Sequence, residues 1–445
     1  MRTIRVGAGA GFSGDRIEPA VELAEKGELD FLVFECLAER TIALAQLARM
    51  ADPNAGYDPM LERRMQAVLP ACAARGTRII SNMGAANPLA AAEKVREIAD
   101  QLGLGNLKIA AVTGDDVIDA VIDGSFVLDE TGAPACALGD RLISANAYIG
   151  ASPIVSALEA GADIVLTGRA SDPAMFLAPL VHSFGWAMDD WHRLGCGTVI
   201  GHLLECAAQV TGGYFADPEY KDVPNLARLG FPLAEVAKDG DAVITKVAGT
   251  GGQVTRATCT EQLLYEIHDP SCYAQPDVIA DFSRVTLAED GPDRIRVSGA
   301  TGTPRTGMLK VSVGYDDGWL GEGQISYAGP GAEARGRLAI ELLRERLAAN
   351  GPAVRETRGE LIGVDAILGN DGAYPCTPRE VRVRFAARCV TRADAARIGE
   401  EVESLYLNGP SGGGGATRSV RQILGVASTL IPEELVETRV QMVES

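Results

Sequence analysis

Six apolar runs in the first half of the chain each give way to residues able to move a proton or hold an anion: Asp15, Glu35, Asn82, Asp115, Asn146, and the pair Arg169 and Asp172. Glu35 directly follows Phe31-Leu-Val-Phe34, where partial burial raises a carboxyl pKa and suits the group to proton transfer. The plainer alternative is a solvated loop acid. Asp115 and Asp116 are neighbours, so on an extended chain only one of them can face a site; the other is left to cap a helix. Arg169 has the planar fork that binds a carboxylate or phosphate through two N–H groups. A local ion pair with Asp172 is the competing structural reading.

The glycine turn Gly7-Ala-Gly9-Ala-Gly11-Phe-Ser13-Gly14-Asp15 follows a strand-like run and precedes a helical one. Gly9-x-Gly11-x-x-Gly14 has the spacing of a dinucleotide-binding turn, with Glu35 as the acid about twenty positions on. Against that stands Asp15, which would set a carboxylate beside a pyrophosphate. The preferred reading is a loop where backbone N–H groups at Gly9, Gly11 and Gly14, with Ser13, bind an anionic or carbonyl part of a substrate. The alternative is a turn permitted by glycine, with Asp15 as a helix cap. Gly249-Thr-Gly251-Gly252 and Gly412–Gly415 are further loops able to offer N–H groups to CoA phosphates, and neither carries the Lys-Ser/Thr of a P-loop. His202 and Glu205 are spaced to share a helix face, but there is no HExxH and no third ligand, so no metal is assigned. No GxSxG elbow occurs and no cysteine sits in a nucleophile motif.

These residues need a scaffold, and the sequence supplies a repeated one: short apolar strand, polar or glycine-rich turn, helix. Continuous aliphatic strands alternating with helices predict an α/β fold with a mostly parallel sheet and helices on both faces. In such sheets a ligand lies outside the carboxyl ends of the strands, where the residues above fall. Six units favour an open sheet over a barrel. From about Asp239 short alternating segments between Gly, Pro and Asp turns predict a smaller α+β region with antiparallel strands. The expected organisation is an α/β core domain over 1–238, an α+β region over 239–350 and a C-terminal βαβ-like module over 351–445. Within these, helices are expected over 332–349 and 393–407 and a strand over 380–388.

Composition narrows the function classes. With 445 residues, 47% hydrophobic and 23% charged, the chain can bury substantial cores and is expected to hold two or three domains. The formal net charge of −19 repels nucleic acid and anionic membrane surfaces. No apolar run approaches the ~18 residues of a membrane span, and the start shows no secretory signal. Nine cysteines without CxxC spacing, Cys36, Cys72, Cys136, Cys196, Cys206, Cys259, Cys272, Cys376 and Cys389, read as reduced thiols of a cytoplasmic protein.

Several segments carry a family likeness: Gly7 to Arg16, Asp30 to Glu39, and Ala160-Gly-Ala-Asp-Ile-Val-Leu-Thr-Gly-Arg-Ala-Ser-Asp172. Tyr265-Glu-Ile-His-Asp-Pro270, Val297-Ser-Gly-Ala300 and Asn408-Gly-Pro-Ser-Gly-Gly-Gly-Gly415 extend it along the chain. Together they resemble the acyclic terpene utilisation A (AtuA) family. The resemblance implies a role in the degradation of citronellol and geraniol through acyl-CoA intermediates. Longer family members carry an additional small ferredoxin-like domain, so a separate small subunit is an expected partner, and a homo-oligomer is expected. The expected function is a lyase or hydratase acting on a branched carboxylic acid or acyl-CoA. Asp15, Glu35, Asp115 and Asp172 form the candidate catalytic set, with Glu35 or Asp15 moving a proton next to a carbonyl. Gly9, Gly11, Ser13, Gly14, Asn82, Asn146, Arg169, Gly251 and Gly252 form the binding set. The alternatives are a non-catalytic acyl-CoA-binding or scaffolding subunit, and an NAD(P)-linked oxidoreductase resting on the turn spacing alone. No cofactor is assigned.

Overall fold

Runs such as Phe31–Phe34 and Ile164–Thr167 have no polar face to offer solvent, and each is buried along its whole length. They form the centre of a sheet in a computed structural model describing residues 3–369 and 378–443. Cys376 lies outside the described residues. The chain divides into two compact units, Met1–Gly314 with Val426–Ser445, and Tyr315–Gly425.

The first unit opens with β1 (Ile4–Ala10), α1 (Glu18–Lys26), β2 (Phe31–Phe34), α2 (Glu39–Ala51), α3 (Leu61–Arg75), β3 (Arg78–Ser81) and α4 (Pro88–Gln101). It continues with β4 (Ile109–Thr113), α5 (Ile118–Asp123), β5 (Leu142–Ala147), α6 (Ser152–Glu159), β6 (Ile164–Thr167), α7 (Ala174–Phe184) and α8 (Trp191–Glu205). Prolines at the first turns of α1, α4 and α6 cost no hydrogen bond there, and the Asn87 side chain caps α4. Next come β7 (Pro232–Val236), β8 (Ala242–Lys246), α9 (Arg256–Leu264), β9 (Tyr273–Ala274), β10 (Ile279–Asp281), β11 (Thr286–Glu289), β12 (Ile295–Ser298) and β13 (Thr301–Thr303).

The main sheet is open, with strand order β11-β12-β8-β7-β1-β2-β3-β6-β4 and then β18 (Arg439–Val443). Its middle, β1-β2-β3-β6-β4, is parallel. Every other pairing is antiparallel. The expected mostly parallel sheet is therefore a mixed one. The reason is that an edge strand leaves a row of unpaired N–H and C=O groups: β7 and β8 continue hydrogen bonding from β1, and β18 does so from β4. The Leu142–Ala147 strand, expected as a member of the parallel sheet, instead pairs with β14 (Met308–Ala328).

The order β3-β6-β4 also creates a divergence. From β3 the chain goes outward to β4, whereas from β6 it returns across the sheet to β7. Loops leaving the adjacent ends of β3 and β6 thus part, and such a switch is where open α/β sheets leave a crevice. One apolar core joins the strands and helices of this unit, including Leu32, Val33, Ile80, Val165, Phe176 and Leu203. Each such side chain contributes about 1.5–3 kcal/mol when fully buried.

The second unit takes up the chain within β14, followed by α10 (Ala332–Asn350), β15 (Val354–Ile362), β16 (Glu380–Cys389), α11 (Arg392–Asn408) and β17 (Gly414–Pro432). Its sheet has the order β15-β16-β14-β17, with β16 antiparallel to both β15 and β14. Ile325, Tyr327, Leu343, Val383, Phe385 and Ile398 are among the buried residues of its own core.

Candidate active site

Because the five central strands run the same way, their carboxyl ends deliver Asp15, Glu35, Asn82, Asp115 and Arg169 to one edge of the sheet. Glu35 follows β2 and is 8% exposed. One of its oxygens accepts from the Asn82 amide at 2.9 Å and from the Leu37 N–H at 3.0 Å. Asn82 is fixed in turn, its own oxygen accepting from the Cys36 N–H at 2.7 Å. Burial pushes the Glu35 carboxyl well above the usual carboxylate range, and the charge of Asp172 adds to this. The hydrogen bonds and Arg169 only partly offset the rise.

Arg169, two residues beyond β6, is 1% exposed. Its guanidinium donates to the Leu37 carbonyl and to the Asp172 carboxylate and lies 4.0 Å from the centre of the Tyr148 ring. Burial alone would lower its pKa, but Asp172, Tyr148, Glu35 and Glu39 hold it raised, so the group stays charged. The Arg169–Asp172 ion pair weighed from the sequence is thus present. Asp172 keeps 36% of its side chain in solvent; the protein around it raises its pKa and Arg169 pulls it back. The Arg169 backbone N–H donates to Asp115 at 2.8 Å, and the Asn146 amide donates to the same oxygen at 2.9 Å. Burial lifts Asp115 to about 6. Glu35, Asn82, Asp115, Asn146, Arg169 and Asp172 therefore form one linked group.

Three members of this group were not assigned from the sequence. The Tyr148 hydroxyl donates to Glu39 at 2.5 Å, and the Lys310 ammonium reaches the same oxygen at 3.2 Å. Burial works to raise Glu39, but Tyr148, Arg169 and Lys310 bring it down to about 2. Glu39 and Lys310 are 271 positions apart, and no spacing rule links them.

The glycine turn is arranged differently from the expectation. The Asp15 carboxylate accepts from the Gly11 N–H at 3.0 Å and the Arg16 N–H at 2.8 Å, so the chain's own anion occupies one of the donors expected to face a ligand, that of Gly11. Burial raises Asp15 and these donors offset it. Fully buried Arg64 ties the turn down through the carbonyls of Phe12, Ser13 and Asp15, and the Ser13 hydroxyl bonds Asp58. Gly9 leaves room for the Phe34 ring and Gly11 for the Cys206 backbone; a Cβ at either would come within 2.6 Å. Gly14 lies beside the Phe12 ring. The N–H groups of Gly251 and Gly252 donate to the carbonyls of Arg228 and Pro224 at 2.8 and 2.7 Å.

Beside the turn lies a cleft of about 490 Å3, lined by Phe12, Arg16, Cys206, Leu229, Phe231 and Tyr265 among others. Residues 4–442 match the model for the acyclic terpene utilisation family protein AtuA. The chain belongs to the acyclic terpene utilisation family. Comparison with curated proteins gave no match.

In this family member no helix among the described residues is long and apolar enough to cross a membrane. Nor do three or more His, Cys, Asp or Glu side chains among them group so as to hold a metal ion. His202 and Glu205, spaced to share a face of α8, are joined by a bond of 2.9 Å. Burial lifts Glu205 to about 7 despite His202. The remaining atoms, His202 Nε2 and Glu205 Oε2, are buried without a partner among the described residues.

Proposed function

We propose that the chain is a catabolic enzyme of the lyase or hydratase type, acting in acyclic terpene utilisation on a branched carboxylic acid or its acyl thioester. The observation that carries this reading is the unequal pair at the β2 and β6 ends. Glu35 is held by neutral donors and is pushed well above the ordinary range, whereas Asp172 sits against a charged arginine. Two carboxyl groups whose surroundings drive them apart can act as acid and base in one reaction. In this reading Glu35, the more strongly raised of the two, is the proton donor and Asp172, against Arg169, the base. In hydration, Asp172 takes a proton from water as its oxygen adds to the carbon β to the carbonyl, and Glu35 gives its proton to the α-carbon. Dehydration reverses both transfers.

Arg169 in this reading is a positioning residue, since Leu37, Asp172 and Tyr148 already engage its guanidinium. Asp115 and Asn146 hold the backbone of the same loop. The nicotinamide alternative loses support because Asp15 sets a carboxylate within the glycine turn, on the Gly11 N–H.

The test is to follow hydration and dehydration of branched α,β-unsaturated and β-hydroxy acyl-CoA thioesters by the purified full chain, alone and with a candidate small ferredoxin-like partner subunit. Glu35→Gln is expected to lower kcat by ~100- to 10,000-fold while ligand binding persists. Binding without turnover by wild type under every condition would replace the enzyme by the acyl-CoA-binding subunit.

A further inference from the structure

The cleft beside the glycine turn is not used by the acid–base pair, and its lining is unusual for a protein surface. Phe12, Tyr214, Leu226 and Tyr265 are large apolar side chains left exposed, at 60%, 80%, 41% and 36%. All four line this one cleft. Apolar side chains scattered singly are ordinary, whereas several gathered on one concave surface mark a binding site. A volume of about 490 Å3 falls in the range of small-molecule sites.

The lining also carries charged and polar groups. Arg16, half-exposed, lines it together with Asp15, whose carboxylate is turned onto backbone N–H groups. That leaves Arg16 as the cation available to an anionic ligand, with only a 3.5 Å approach to Glu18 and a bond to the Ala227 carbonyl. Cys206, which also lines the cleft, feels the charges of Glu205, Glu35 and Asp172, which raise its thiol after burial has done so. Next to Cys206, the unpartnered Glu205 Oε2 and His202 Nε2 are buried polar atoms that call for a polar group or water.

We infer that this cleft holds the apolar chain of an amphipathic acyl substrate, with any outer anionic group against Arg16. The assignment rests on the proposed function for its ligand class, but its binding predictions can be read separately. The shared chemistry is an acyl chain of several carbons, which a free acid and a CoA thioester both carry.

The experiment titrates the full chain with octanoate, butanoate, octan-1-ol, octanoyl-CoA, butanoyl-CoA and CoA alone. Affinity is expected to rise about fourfold for each methylene buried, so octanoyl-CoA binds far more tightly than butanoyl-CoA. Octanoate binding with the same chain dependence points to the free acid, and its absence points to the thioester. Phe12→Asp and Tyr214→Asp alter side chains that are mostly in solvent, so thermal unfolding should stay as in wild type while octanoyl binding falls at least tenfold. Arg16→Gln should weaken CoA-bearing probes more than octan-1-ol. Equal affinity for the butanoyl and octanoyl probes, no binding of any probe, or unchanged octanoyl binding in both aspartate variants overturns the assignment. Turnover by wild type with an unaltered KM in Phe12→Asp removes the cleft and leaves the hydratase; chain-dependent binding without turnover removes the hydratase and leaves the cleft.

Discussion

The end of β2 and the start of α2 hold two glutamates four residues apart, Glu35 and Glu39, and both lie in the field of Arg169. Desolvation acts upward on each, yet Glu35 ends well above the usual range and Glu39 at about 2. Their company differs. Glu35 receives an amide and a backbone N–H, both neutral, and has Asp172 as a like charge nearby. Glu39 receives the Tyr148 hydroxyl and the Lys310 ammonium. A single buried arginine can thus serve a proton-holding side and a charged side, provided that the neighbours on each side are chosen differently. The raised carboxyl of Glu35 is the feature on which the proposed chemistry depends.

The contrast breaks most severely if the shared cation is removed. Arg169→Met strips the Leu37 carbonyl and Asp172 of their donor and removes the stack on Tyr148. Loss of one member of a buried pair costs about 3–5 kcal/mol. The lower end, ~3 kcal/mol, is expected here because Asp172 keeps 36% of its side chain in water. Urea unfolding at neutral pH measures it. A loss under ~1 kcal/mol would mean that Arg169 does not organise the two sides.

Asn82→Ala should sharpen the difference. It leaves the Cys36 N–H and the Glu35 carboxyl each short of a partner in a buried place, at a cost of about 1–3 kcal/mol. The Asn82 amide lowers the Glu35 pKa, so without it the acid is raised further. The alkaline limb of the pH–rate profile, where Glu35 loses its proton, is then expected to move to higher pH. A limb that moves to lower pH would show that Glu35 is not the proton donor.

Much of this site is written locally in the chain. Glu35, Asn82, Asp115 and Arg169 were legible because four-residue apolar strands end beside them, and a parallel block sends such ends to one edge. The helices 332–349 and 393–407 and the strand 380–388 lie within α10, α11 and β16, since capping residues and apolar periodicity are local signals. What failed is non-local. Alternation marks Ala242–Lys246 as a strand but does not say that it continues the sheet of β1. Met308–Val313 reads as a short strand, yet β14 runs on through the glycines and aspartates that follow to Ala328, and its second half, from Trp319, is held by pairing with β16. Tyr148 and Glu39 stood in segments read for other residues, and only folding brings Lys310 to them.

Tyr148→Phe tests the charged side alone. The ring under Arg169 remains, and only the hydroxyl bond to Glu39 is lost. A hydrogen bond to a carboxylate contributes ~1.5–3 kcal/mol when buried; with 39% of the Glu39 side chain in solvent, about 1 kcal/mol is the discounted expectation. The sign with pH follows from the depressed value. Glu39 stabilises the fold above its unfolded value of 4.5, and this stability is lost as pH falls toward about 2. Wild type and variant should therefore differ at pH 7 and converge near pH 2. A constant difference across that span would place the effect in packing and not in the charge.

The smallest effect belongs to Lys310, whose ammonium meets Glu39 at 3.2 Å and lies 4.8 Å from the Tyr148 ring centre. Its side chain is 45% exposed, so water and salt screen the pair. Lys310→Met is expected to cost at most ~0.5 kcal/mol, and the cost should fade as salt rises from 0.05 to about 1 M. The deeper Arg169 and Tyr148 contacts should keep their effect under the same salt. If Lys310→Met proves as costly as Tyr148→Phe and indifferent to salt, then the low Glu39 value rests on the lysine, and the charged side is held from the surface instead of from within.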